Sequence, residues 1–90
     1  MPKNAKVQSG KVIIQGQGTD HLKIEQSTHK SILNWDSFSV HKGGRVDFNM
    51  PSSKSSSLNR VTGSTPSTIA GQIHSNGKVL LINPNGVAIT

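Results

Sequence analysis

The sequence predicts an all-β domain, and three observations carry that prediction. No window places apolar residues at i, i+3, i+4 and i+7 over three turns, whereas several windows alternate at period two. Clusters of Gly, Asn, Ser and Pro interrupt those windows about every ten residues, as short strands with turns between them require. Ser, Thr, Asn and Gln make up 31 of the 90 residues, beside 9 Gly and 4 Pro, a composition suited to strands and turns rather than helices.

Taken in order, strands are expected at Lys11 to Gln15, His21 to Gln26, Ser31 to His41, Arg45 to Met50, Thr68 to His74, Lys78 to Ile82 and Val87 to Thr90. Residues 1–10 read as an N-terminal tail without a signal peptide, because MPKNAKVQSG has no apolar run of that kind. The domain proper is therefore expected over residues 11–90. Arg45 to Met50 is the clearest strand, with Val46, Phe48 and Met50 on one face and Arg45, Asp47 and Asn49 on the other. Within Ser31 to His41 the apolar parity changes from Leu33 and Trp35 to Phe38 and Val40, which predicts a bulge or corner near Asp36 and Ser37. Trp35, Phe38 and Phe48 hold all the aromatic bulk and are the expected core anchors. Only 31% of the residues are hydrophobic, so the core must be thin.

Strands at this spacing suit a small sandwich or barrel, but also a solenoid, in which neighbouring turns of chain bury each other's inner side chains. Internal self-similarity is too weak to decide, and pattern alone leaves both open. Ser52 to Ser57 reads as an exposed loop after Pro51. Asn76-Gly77 carries the signature of a type I′ hairpin and predicts a local antiparallel pair.

Asn83-Pro84-Asn85-Gly86 matches a type I turn at each position, and a corner alone would account for it. In Asn59-Arg60-Val61-Thr62-Gly63, polar side chains surround one apolar anchor, Val61. Arg60 there suits either an acidic partner or the capping of carbonyls.

The formal charge of +6 invites an anionic partner, but the ten cations are scattered singly, with no interleaved aromatics for bases to stack on, and this argues against nucleic acid. His21, His29, His41 and His74 show neither HxH nor HExxH spacing. The four acids form no paired arrangement, and no nucleophile or phosphate-binding motif is present. Catalytic residues, metal and cofactor are accordingly not expected. No window approaches the roughly 18 apolar residues of a membrane-spanning helix.

In order along the chain, ILNWDSFSV, GGRVDFNMP and LNRVTGSTPSTIAGQIHSNGKVLLINPNGV closely resemble the two-partner secretion (TPS) domain of filamentous-haemagglutinin-like exoproteins, also called the haemagglutination activity domain. The family couples a Trp followed by an apolar pair, a strand ending in Pro, LNRV-x-G, P-S-x-I-x-G and a closing INPNG. All five stand here in sequence, and the upstream VIIQGQGTDHLKIEQSTHKS is similar to its opening strands. The resemblance implies a right-handed parallel β-helix, a single-stranded solenoid with some extra antiparallel strands near its start. It makes residues 11–90 a partial secretion domain, since the family's domain is longer.

By the same resemblance the chain is not an enzyme. It is the N-terminal secretion signal of a large exported adhesin, haemolysin or contact-dependent toxin, destined for the medium or the bacterial surface. Its implied partner is an outer-membrane β-barrel transporter, whose periplasmic domains recognise it, and its folding at the cell surface starts the long passenger helix. Asn59, Arg60, Gly63, Asn83, Pro84, Asn85 and Gly86 match the family's functional motifs. A monomer is expected. Two other readings compete: a basic module binding acidic glycans or other polyanions, and a non-functional gene fragment.

Overall fold

A computed structural model describes Met1–Thr90, with ten strands and no helix. In chain order these are β1 (Lys6–Ser9), β2 (Val12–Gln15), β3 (His21–Gln26), β4 (Lys30–Trp35), β5 (Arg45–Asn49), β6 (Ser56–Val61), β7 (Ser67–Ile69), β8 (Gln72–Ser75), β9 (Lys78–Ile82) and β10 (Val87–Ile89). They form two four-stranded sheets, ordered β1-β4-β6-β9 and β2-β3-β5-β8, and a ribbon of β7 and β10. The antiparallel pairs, β1 on β4 and β2 on β3, lie at the N-terminal end; all other strand pairs are parallel.

From β3 onward the chain visits the faces in a fixed order and starts again: β3 then β4, β5 then β6 then β7, β8 then β9 then β10. Parallel partners stand about 20 to 30 residues apart, one turn of chain beside the next. Alternation at period two sends every second side chain inward. Register then stacks Leu22 on Val46 and Ile73, Ile24 on Phe48, and Trp35 on Val61. The core is eleven residues, with Trp35 and Phe38 edge to face at 5.3 Å. Such a pair contributes about 0.5–1.5 kcal/mol beyond the area it buries. Phe48 is buried in the same core.

Phe38 and Val40 are buried as well, although their parity is opposite to that of Leu33 and Trp35. The chain turns a corner after Trp35, so that Val40 bridges Ile69 on a different face.

Four expectations need correction. Residues 1–10 are not merely a tail, since Lys6–Ser9 forms β1 against β4. Thr68 to His74 is two strands, divided at Ala70 and Gly71. A Cβ on Gly71 would lie 2.4 Å from the carbonyl oxygens of both Gly44 and His41, so the backbones touch and the chain bends there.

Asn76-Gly77 makes no hairpin: β8 pairs with β5 and β9 with β6, in different sheets and both parallel. Neither residue has positive φ, which a type I′ turn requires. Asn76 instead closes a corner, its Nδ2 donating to Met50 O at 2.7 Å and its Oδ1 accepting from Met50 N at 2.8 Å.

Ser52 to Ser57 is exposed only at its start, for Ser55 and Ser57 are fully buried and β6 begins at Ser56. Small hydroxyls can be buried there because they find partners, as with the backbone N–H of Ser52, which donates to Ser55 Oγ at 3.2 Å.

Candidate functional site

The two motifs that the sequence singles out, Asn59 to Gly63 and Asn83 to Gly86, meet at one corner of the coil. Parallel pairing of β6 with β9 sets Asn59 beside Leu81 and Arg60 beside Ile82, so each strand delivers its trailing motif to the same edge. The corner has three layers. In the first, Trp35 O accepts from both the backbone N–H and the hydroxyl of Thr62, at 2.8 and 3.2 Å.

The middle layer is Thr62-Gly63. A Cβ at Gly63 would lie 2.2 Å from the Asp36 carbonyl oxygen, so only glycine lets the two backbones stack this closely. Gly63 O then accepts from Asn85 Nδ2 at 2.9 Å, which ties on the third layer.

Asn83 holds that layer from within. Its Nδ2 donates to Thr65 O at 3.0 Å and Ser67 Oγ at 2.9 Å, while its Oδ1 accepts from the backbone N–H and the Nδ2 of Asn85, each at 2.9 Å. Gly86 N donates to Asn83 O at 3.0 Å, closing a four-residue turn with Pro84 at its second position and exposed. At φ +109° Gly86 occupies backbone space that L side chains avoid, and its carbonyl accepts from Ser67 N at 2.9 Å.

Asn59 and Arg60 are neighbours with opposite fates. Arg60 points outward, its Nε donating to Asn34 Oδ1 at 3.0 Å one turn earlier. Asn59 points inward and is fully buried. Its Oδ1 accepts from Trp35 Nε1 at 2.9 Å, and its Nδ2 faces Ser57 Oγ, Ser57 O and Leu80 O at 3.2, 3.3 and 3.4 Å.

The chain of contacts continues inside the coil. Ser31 Oγ lies 2.6 Å from Gln26 Oε1 and 3.1 Å from Ser57 Oγ. The Ser31 hydroxyl is the donor in both contacts, its one proton directed chiefly at the shorter, to the Gln26 carbonyl. Gln26 Nε2 donates onward to Thr28 O and Ser56 O. Every buried side-chain nitrogen and oxygen has a partner. A satisfied network of this kind fixes which residue stacks on which, where aliphatic side chains alone would tolerate a slip.

Asn59, one of the polar side chains that the sequence sets around Val61, is therefore a core residue, and Gly63 and Asn83 hold layers together. Arg60, Gly63, Pro84, Asn85 and Gly86 are the motif residues at the surface. Sequence reasoning missed Thr62, Thr65, Ser67 and Asn76, whose partners sit a full turn away. For Asn76 the Asn-Gly signal was present but assigned to the wrong geometry.

On the far sheet, Asp47 bonds His21 Nε2 at 2.5 Å and Arg45 Nε at 3.0 Å. Partial burial pushes its carboxyl upward, but the bonds from His21 and Arg45 outweigh this and hold it below the usual carboxylate range.

A family model described as "TPS secretion domain" matches residues 1–90. A heme/hemopexin-binding protein of Haemophilus influenzae is 38% identical over 89 residues, covering 99% of this chain and 10% of that protein. A second Haemophilus influenzae protein of the same name is 38% identical over 90 residues, again with 10% of its length covered. Among solved structures, the HMW1 secretion domain from Haemophilus influenzae superposes with a TM-score of 0.92 at 33% identity, covering 100% of this chain and 24% of that one. The chain thus spans about a tenth of the curated relatives it matches.

Proposed function

The chain belongs to the TPS secretion domain family, and from that membership we propose that it is the secretion signal of a large exoprotein, recognised by the periplasmic domains of an outer-membrane β-barrel transporter. Domains of this family belong to secreted or surface proteins, are in general not enzymes, and work with an outer-membrane transporter partner. Within the proposal, the coil is the start of a right-handed parallel β-helix, and the folded turns seed those that follow at the cell surface.

The layered corner is the observation that supports this reading most directly. Each layer offers the next a row of carbonyls and a glycine or asparagine shaped to accept it, so a finished turn is a template for its successor. Asn59, Gly63 and Asn83 act after transport, when the coil forms. Before it, the same Ser-, Thr- and Asn-rich segments are extended and free to add as strands to a transporter domain. Arg60, Pro84, Asn85 and Gly86 are the residues that such a domain contacts.

Binding and folding separate experimentally. The unfolded chain is titrated with the purified periplasmic domains of the cognate transporter, and export of the intact exoprotein is measured for Arg60→Gln and Asn83→Ala. The expected result is micromolar-range binding of the unfolded chain, weakened by Arg60→Gln, with export reduced by both substitutions. No binding to the transporter domains, or undiminished export of both variants, would overturn the proposal.

A further inference from the structure

Apart from Arg60, the outer face of sheet β1-β4-β6-β9 takes no part in the corner. Register across β4, β6 and β9 aligns Ile32, Leu58 and Leu80 as an aliphatic row running along the stacking direction. Leu80 is 43% exposed, and Ile82, two residues on, is 49% exposed. Lys30 and Lys78 stand in the row on one side and Arg60 in the row on the other.

None of the four strands contains Asp or Glu. The acids are elsewhere. Glu25 and Asp47 lie on β3 and β5 of the other sheet, Asp20 just before it, and Asp36 at the corner after β4, bonded to Asn4. One outer face thus carries aliphatic, neutral polar and cationic side chains and no acid, while the other carries mixed charge.

We propose that this aliphatic and cationic face docks onto a membrane surface bearing anionic lipid headgroups. Lysines at the rim can lay their methylene stems along the row and hold their ammonium groups at phosphate level, while Leu58, Leu80 and Ile82 enter the headgroup boundary. A second copy of the chain does not fit, because face-to-face pairing would oppose Lys30, Lys78 and Arg60 to the same cations. Nucleic acid would find no aromatic platform. This inference does not depend on recognition by a transporter.

Flotation of the chain with vesicles of phosphatidylcholine, with and without phosphatidylglycerol, tests it. The expected result is binding only to the anionic vesicles, weakened by salt and about fivefold by Lys78→Gln. Leu80→Thr, on the exposed strand β9, is expected to weaken it further with strand content unchanged by circular dichroism. Lys23→Gln removes the same charge from the opposite outer face and should leave binding intact. Equal binding to neutral vesicles, equal loss from Lys23→Gln and Lys78→Gln, or binding to an acidic amphipathic peptide but not to anionic vesicles would each overturn the proposal.

Discussion

Replacing Asn59 with alanine tests whether the buried polar network sets the stacking of the coil. The substitution strands Trp35 Nε1, which has Asn59 Oδ1 as its partner at 2.9 Å and lies in a fully buried side chain. It also removes the donor facing Ser57 Oγ and opens a small void. An unpaired buried donor costs about 1–3 kcal/mol. With the void added, the expected loss is about 2–4 kcal/mol, a fall in Tm of about 10–20 °C for a domain of this size.

Trp35 is the sole tryptophan, so urea unfolding followed by its emission reports directly on the perturbed group. Asn59→Asp supplies a second arm. Its new oxygen would face Ser57 O and Leu80 O, which have nothing to donate, so the folded state favours the protonated acid and raises its pKa. Stability of that variant is then greatest in acid and is lost as pH rises through the raised pKa, opposite to an ordinary surface aspartate. A loss below about 1 kcal/mol for Asn59→Ala, or an Asn59→Asp variant indifferent to pH, would refute the network as the source of register.

Gly63→Ala should be more damaging than a routine surface change, because its methyl collides with the Asp36 backbone oxygen and one of the two layers must move; an expected loss of about 2 kcal/mol or more is readable by urea titration. Asn83→Ala removes the contacts to Thr65, Ser67 and Asn85 and is expected to cost about 1–2 kcal/mol, with the Ser67 amide, which donates to Gly86 O, exchanging faster in hydrogen-exchange measurements. Asp47 is held below the usual carboxylate pKa, so its contribution is present above the unfolded value of about 3.9 and disappears as pH falls through the lower folded value. Acid titration of Asp47→Asn should therefore show a shallower loss of stability than the parent chain over that window.

Much of the strand content was legible in the residues. Val46, Phe48 and Met50 alternate so cleanly that β5 follows from period alone, and the parity change between Trp35 and Phe38 marks the corner where the chain changes face. Asn83 to Gly86 announced its turn, because each position of that turn has a local conformational demand. By themselves, then, the amino acids determined an all-β chain, where it extends and bends, and, through the order of its motifs, its kinship.

Tertiary structure decided what faces what. Asn59 and Arg60 are equally polar, yet one is sealed against Trp35 and the other is open to water, because a strand entering a coil must turn alternate residues inward whatever their chemistry. Ser55 and Ser57 are buried in a run that looks like a loop, and Asn76-Gly77 joins two sheets rather than two paired strands, because their partners lie a full turn away in sequence. Local conformational preference is a property of a few adjacent residues and can be read from them. Partnership between turns is created only when the chain has closed on itself, and no short window contains it.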